Sequence, residues 1–327
     1  MMQQHKAHVS FFPMPQSDEL LDSVVYRYHQ LAGHASPRQT FNELFGKFCQ
    51  VVPKLMTNHT SHLLAKVPPH LFKERQDILA KHLLLPALHR IFGENHIKQA
   101  ILNTESGARF GTDRIYYCCH TLLLQHSLQC CPLCIQEEQN EMGFAYWHRS
   151  HQLHGVATCH KHGCDLIQNC PYCGRQARHP RSMELPESHC LGCGKRWLPT
   201  YSFSESVNRL ANLAYVTCNS GKMEGTDLVL FAKVVSAITG GNTAAACNDM
   251  EASYGSAYFK SIYQKEKDVR GDWLKDAFHR EKFNRGEFGP WTLRFRRYSD
   301  LLMAVDNLFG SWADFDRYAV NYRKTAA

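Results

Sequence analysis

No stretch of this chain offers the run of roughly eighteen apolar residues that a membrane-spanning helix needs. The opening Met1-Met2-Gln3-Gln4-His5-Lys6 likewise lacks the apolar core of a signal peptide. The expected compartment is therefore the cytoplasm. Motifs of several catalytic classes are missing too: there is no G-x-x-x-x-G-K-[ST], no H-E-x-x-H and no G-x-S-x-G. Acidic residues are scattered and not spaced as a nuclease cluster. With no nucleophile, base or open metal position announced, the chain reads as non-enzymatic. Nor does charge of one sign dominate, since 37 Lys and Arg against 30 Asp and Glu leave +7. That balance is compatible with nucleic acid without demanding it. A length of 327 residues with 44% hydrophobic content allows a sizeable core spread over several modules.

What the chain has in quantity is cysteine, 14 residues in all. In a reducing compartment disulfides explain them poorly, and their paired spacing points to metal. Cys131-Pro-Leu-Cys134, Cys159-His-Lys-His162, Cys170-Pro-Tyr-Cys173 and Cys190-Leu-Gly-Cys193 each leave two residues between two ligands. Tetrahedral zinc takes four such ligands, and a structural site fills all four from the protein. Two sets result: Cys131, Cys134, Cys159 and His162, then Cys170, Cys173, Cys190 and Cys193. The expected cofactor is Zn2+, two ions per chain, both structural.

Around the first set Cys130, His160 and Cys164 stand as alternatives, because any of them can replace a neighbour without changing the gross geometry. The clean two-residue gaps favour the set given. Cys118, Cys119 and His120 lack a fourth ligand and read as small buried side chains beside a strand over Arg114–Cys118. The 24 residues between the first two knuckles exceed a small finger. They read as a helix set between the halves of one site, with Phe144, Trp147 and Leu153 wrapping it. His148, His151 and His154, three residues apart, are expected on that helix and not on an open catalytic metal face. In the second set, sixteen residues separate the knuckles, and Gly174 and Gly194 permit the tight turns of a zinc ribbon.

The flanks read as helical. Ser17 is positioned to cap a helix through Leu20, Leu21, Val24, Val25, Tyr28, Leu31 and Ala32, which Gly33 ends. Ser36-Pro37-Arg38-Gln39 then opens a short helix that stops at Gly46. This is the outline of a helix-turn-helix offering Arg38, Gln39 and Asn42 to DNA while Phe41, Leu44 and Phe45 pack inward. An ordinary helical hairpin has the same outline. Pro68-Pro69 reads as the start of a helix through Leu71, Phe72, Ile78 and Leu79, and Ala87–Phe92 as another. Further on, Val207–Tyr215 and Leu228–Ile238 are helical, with a break at Gly240-Gly241.

Arg280, Lys282, Arg285, Arg294, Arg296 and Arg297 are interleaved with Phe283, Phe288, Trp291, Phe295 and Tyr298. Such a segment suits phosphate contacts and base stacking, although the aromatic spacing equally fits a core face with solvated arginines. The expected fold class is mainly α with small zinc-bound β elements. Four regions are expected: a helix-turn-helix-like region at 1–50, a helical linker domain at 51–117, two zinc-binding modules at 118–200 and a helical C-terminal domain at 201–327.

The order of these features adds more than any one of them. Pro13-Met-Pro15 precedes the first helix, Ser36-Pro37 opens the second and Phe45-Gly46 closes it. Cys131-Pro-Leu-Cys134, Gly143-Phe-Ala-Tyr-Trp147, His151-Gln152-Leu153 and Cys159-His-Lys-His162-Gly163 follow. The series resembles the TniQ/TnsD family, the target-site selectors of bacterial cut-and-paste transposons. The resemblance covers about residues 11 to 200 and extends loosely to Trp273-Leu274-Lys275. It implies an N-terminal helix-turn-helix, a zinc-bound middle and a helical C-terminal part. It also implies a bacterial adaptor that recruits the AAA+ regulator TnsC of a TnsABC-type transposon to target DNA or to a guide-RNA Cascade effector, and allows a homodimer.

The N-terminal half looks more like the TnsD branch, yet the chain is shorter than full TnsD proteins, which carry a further C-terminal DNA-binding portion. Both an attachment-site reader and the guide-RNA-associated member of a CRISPR-associated transposon fit. The alternative is a freestanding, zinc-containing, sequence-specific DNA-binding protein such as a transcription regulator.

Overall fold

A computed structural model describes residues 8–46, 59–72, 75–87, 89–90, 127–178, 182–219, 228–262 and 298–325. They are mainly helical. In chain order the elements are α1 (Leu21–Leu31), α2 (Pro37–Phe45), α3 (His59–Lys66), α4 (Arg75–His82), α5 (Pro132–Met142), a 3-10 turn at Ser150–Gln152, and α6 (Glu205–Asn219). They continue with α7 (Leu228–Ile238), α8 (Thr243–Tyr254), α9 (Ser256–Ile262), α10 (Tyr298–Phe309) and α11 (Trp312–Thr325). Extended pairing among the described residues consists of isolated antiparallel bridges, most of them beside the cysteine pairs. One apolar core runs from Val9 to Ala319. None of the described helices is long and apolar enough to cross a membrane.

α1 buries Leu21, Val24, Val25 and Tyr28 as the helical periodicity expects, but Leu31, expected on the same face, is exposed. Its start differs from expectation, because Ser17 does not cap it and the helix begins four residues later. Tertiary pairing overrides the local signal: Leu20 N–H donates to the Trp147 carbonyl (2.9 Å) and Arg149 N–H to that of Asp18 (2.7 Å). α2 has Ser36 at its N-cap, without a side-chain capping bond, Pro37 in its first turn and left-handed Gly46 at its end. Phe41, Leu44 and Phe45 are buried against α1 and α3, while Arg38, Gln39 and Asn42 are exposed.

The single helix expected from Pro68 is instead interrupted. α3 ends at Lys66, Pro68–Leu71 forms a turn (Leu71 N–H to Pro68 O, 3.1 Å), and α4 starts at Arg75. α7 matches the expected Leu228–Ile238, and left-handed Gly240 and Gly241 follow it. The 280–297 basic-aromatic segment, the strand at 114–118 and Cys118, Cys119 and His120 lie outside the described residues.

One buried polar junction joins the N-terminal segment to the rest. The Arg149 guanidinium is 1% exposed. Its Nη1 donates to the Ala80 (2.5 Å) and Leu83 (3.1 Å) carbonyls at the end of α4, and its Nη2 to the Cys218 carbonyl (2.6 Å) and Asn219 Oδ1 (3.1 Å) at the end of α6. A cation thus satisfies orphan carbonyls at two helix C-termini, where the macrodipole also favours it.

Asp18 faces Arg149, with Nε–Oδ1 3.7 Å, and accepts from Ser150 Oγ (2.5 Å) and Asn219 Nδ2 (2.9 Å). Burial pushes its carboxyl up, but His148, Arg149 and Ser150 together hold it well below the usual carboxylate range. Asp18 is also the described non-glycine residue with positive φ, 57°. That strained turn sets its carboxylate into the junction. Beside it, buried Glu19 pairs with Arg27 at 2.7 Å.

Candidate metal centres

The sequence Cys131-Pro132-Leu133-Cys134 folds as a helix start. Cys131 is the N-cap of α5, Pro132 lies in its first turn, and Cys131 Sγ accepts the Cys134 N–H at 3.4 Å. The positive end of the helix dipole therefore meets both sulfurs. Opposite stands a loop carrying Cys159 and His162. Its frame has three bonds: Cys159 N–H to Cys164 O (2.8 Å), Gly163 N–H to Cys159 O (2.8 Å) and Leu166 N–H to Ala157 O (2.9 Å).

The same frame recurs at Cys170, whose N–H meets Arg175 O at 2.7 Å, and at Cys190, whose N–H meets Lys195 O at 2.9 Å. In all three, the glycine four residues on is left-handed: Gly163, Gly174 and Gly194 have φ 65°, 74° and 72°. The frame puts residue three, which is His162, Cys173 or Cys193, beside the first cysteine.

In site 1 the donor atoms of Cys131, Cys134, Cys159 and His162 all lie within 4.8 Å of one another. His162 Nδ1 is 3.4 Å from Cys131 Sγ, 3.4 Å from Cys134 Sγ and 3.6 Å from Cys159 Sγ, and the Cys134 and Cys159 sulfurs are 3.6 Å apart. Ligands about 2.3 Å (sulfur) and 2.0–2.1 Å (nitrogen) from a tetrahedral zinc ion give edges of roughly 3.5–3.8 Å. The donor set fits such an ion. His162 Nε2 lies 3.0 Å from Glu137 Oε1, and Glu137 Oε2 accepts from Lys161 Nζ at 2.5 Å. A carboxylate on the far nitrogen fixes the tautomer that turns Nδ1 to a metal.

Site 2 consists of Cys170, Cys173, Cys190 and Cys193, again within 4.8 Å of one another. Cys170 and Cys193 sulfurs are 3.7 Å apart, Cys173 and Cys190 sulfurs 3.6 Å. Gly192 N–H points at Cys190 Sγ (3.3 Å). Against the upward push of burial, the backbone N–H groups of Tyr172 and Cys173 bring the Cys170 thiol down to about 6, in the range where it gives up its proton to a metal. This site is peripheral, with Cys173 and Cys193 exposed, and buried Trp197 anchors it.

The eight residues paired from their spacing are thus brought together in two groups of four, each closed and able to hold a metal ion. Of the alternatives, Cys130 Sγ faces the Ile167 carbonyl at 3.7 Å and His160 stacks on Tyr215 with ring centroids 3.8 Å apart. Cys164 Sγ touches Cys131 Sγ at 3.3 Å but is not one of the four grouped donors. The expected helix between the halves is α5, which stops at Gly143 (φ 79°). His148, His151 and His154 are not on it. His148 bridges Glu19, His151 lies in the 3-10 turn and His154 follows that turn, because residues 147–149 are drawn out to pair with the Asp18–Leu20 segment.

Glu137 was not singled out by sequence reasoning, although its place one helical turn after Cys134 was a usable signal. Nothing in the spacing announced the Asp18–Arg149 junction. Arg38, Gln39 and Asn42 share the exposed side of α2, and Arg285, Arg294, Arg296 and Arg297 fall outside the described residues.

Residues 10–166 match the model of the TniQ family, just under half of the chain. The matched region holds α1 to α5, Asp18 and Arg149 of the junction and all of site 1, and it ends before Cys170 of site 2. Over 157 residues, 46% of this chain, it is 26% identical to the transposon Tn7 transposition protein TnsD of Escherichia coli. That alignment covers 30% of the relative's own length.

Proposed function

We propose, from the premise that this chain belongs to the TniQ/TnsD family, that it is a non-enzymatic target-site selector of a bacterial cut-and-paste, TnsABC-type transposon. In this reading it acts in the bacterial cytoplasm as an adaptor, with marked target DNA or a guide-RNA Cascade effector on one side and the AAA+ regulator TnsC on the other. The observation that carries the reading is the TniQ match over residues 10–166, a region that contains all four residues of site 1.

The chemistry of the sites agrees with scaffolding. Each brings four soft or imidazole donors together, which suits structural Zn2+, one ion per site. The α1–α2 pair serves as a helix-turn-helix, with Arg38, Gln39 and Asn42 available to base edges and phosphates. Arg285, Arg294, Arg296 and Arg297 add sequence-independent phosphate contacts. The four regions 1–50, 51–117, 118–200 and 201–327 divide these tasks.

Reconstitution tests the reading. Purified chain is mixed separately with TnsC, with a guide-RNA effector and with an attachment-site duplex, and complexes are weighed, which also reports a homodimer. Retention of TnsC in the presence of an effector or a target duplex is the expected result. Failure to retain TnsC under every DNA condition overturns the adaptor. Tight, steeply salt-dependent protection of one duplex by the chain alone, without TnsC retention, establishes the freestanding DNA reader instead.

A further inference from the structure

We infer that site 1 carries a dedicated outer shell of hydrogen donors for its sulfurs, in which His151 serves the Cys159 thiolate and Cys164 serves the Cys131 thiolate. This inference rests on the metal reading of site 1 and is independent of the adaptor role. Three thiolates and one neutral imidazole around a dication leave a net negative charge. Here that charge is buried: Cys131, Cys134 and Cys159 are 1%, 3% and 0% exposed. A buried anion needs donors that water cannot supply. Site 2 meets the same need with solvent at Cys173 and Cys193 and with the Gly192 N–H.

His151 has both ring nitrogens to spare, while in His160, the other imidazole grouped with Cys159, only Nδ1 is buried without a partner and the ring stacks on Tyr215. His151 is 1% exposed, and neither ring nitrogen has a hydrogen-bond partner among the described residues. An orphaned buried polar group costs about 1–3 kcal/mol. A ring nitrogen of His151 lies within 4.8 Å of Cys159 Sγ. A neutral thiol accepts hydrogen bonds weakly, whereas a metal-bound thiolate is a charged acceptor, so the ion itself creates the partner that His151 lacks. His148, the neighbour of Cys134, is differently placed: its Nε2 already meets Glu138 at 2.5 Å and its Nδ1 faces Asp18 at 3.5 Å.

Cys164 is 0% exposed and its sulfur sits 3.3 Å from Cys131 Sγ, the distance of an S–H donated to sulfur. With Glu137 on His162, three of the four ligands then have one non-ligand hydrogen-bond partner each.

The test uses the full chain loaded with Co2+, whose thiolate charge-transfer band reports donation to sulfur. His151→Phe should shift the band of one ion and speed its loss to a chelator by about 10- to 100-fold, with the other ion unchanged. His151→Gln, which restores an N–H, should recover most of the retention. Cys164→Ser, keeping a donor, should hold the ion as wild type does, and Cys164→Ala should lose it faster. The Cys164 pair keeps the inference testable if His151→Phe fails to fold. An unshifted band with wild-type retention in His151→Phe overturns the inference, as do equal rates for Cys164→Ser and Cys164→Ala. Three ions per wild-type chain would also overturn it, making His151 and His160 ligands of a further metal that shares Cys159.

Discussion

The loop at Cys159 and those at Cys170 and Cys190 share one backbone frame, yet they end in different surroundings. The Cys159 loop faces the N-terminus of α5, where Cys131, Cys134, Cys159 and Cys164 form a buried cluster of their own against Leu133 and Leu166, and the ligands drawn from α5 and from Cys159 are at most 3% exposed. The Cys170 and Cys190 loops face each other at the periphery, with one cysteine of each exposed. The frame is local, set by a cysteine followed four residues later by a left-handed glycine. Beside site 1 the surroundings are not local: His148, next to Cys134, belongs to the Trp147–Arg149 segment that pairs with Asp18–Leu20, and Arg149 closes the ends of α4 and α6. Two sites of similar wiring should therefore differ in what their loss does to the protein.

The strongest way to break this contrast is to remove one ligand from each. Structural zinc contributes on the order of ten kcal/mol to such sites, comparable to the whole stability of a domain, about 5–15 kcal/mol. Cys134→Ala should abolish cooperative unfolding of the entire core. Cys173→Ala should release only residues around 168–197, a difference visible by calorimetry combined with amide exchange. Equal global unfolding in both variants would erase the distinction between core and peripheral sites.

Next in size is the Asp18–Arg149 junction. Arg149→Met leaves the Asp18 carboxylate without its guanidinium and strips donors from four acceptors, a loss of roughly 3–5 kcal/mol in denaturant titrations. Lys161→Met, at the exposed pair with Glu137, should cost about 0–1 kcal/mol.

A smaller effect is pH-dependent. His82 donates Nδ1–H to the Glu19 carbonyl at 2.8 Å, and burial lowers its pKa to about 4. The folded state keeps this ring neutral while the unfolded chain protonates near 6.5, so stability is present above 6.5 and is lost as pH falls towards 4. The advantage of wild type over His82→Gln should shrink by roughly 2 kcal/mol between pH 7 and 5. Taking the difference removes the acid sensitivity of the metal sites, which both proteins share.

Smallest for stability is the exposed face of α2. Arg38→Ala, Gln39→Ala and Asn42→Ala should each change stability by less than about 0.5 kcal/mol. Together they should weaken duplex retention in gel-shift assays, with a shallower salt dependence from the lost Arg38 charge.

Legibility in the sequence follows the same division between local and non-local. The ligand pairs, Pro37 and Gly46 at the ends of α2, and the bounds of α7 could all be read, because each depends on residues within one or two turns. Ser17 read as a cap and His148, His151 and His154 read as helical for the same local reasons. There the reading failed, since pairing between residues more than 120 positions apart decided the backbone. Glu137 stood within reach of the local argument, while Arg149 did not: its partners come from three separate segments, at Asp18, Ala80–Leu83 and Cys218–Asn219.

Native mass spectrometry during graded chelation tests the central claim most directly, because it counts ions and reports folding together. The account predicts two zinc ions per chain, the peripheral one leaving first while the low charge states of a folded chain persist, and unfolding only with loss of the second. A single ion, bound iron, or simultaneous loss of both ions in one unfolding step would contradict it.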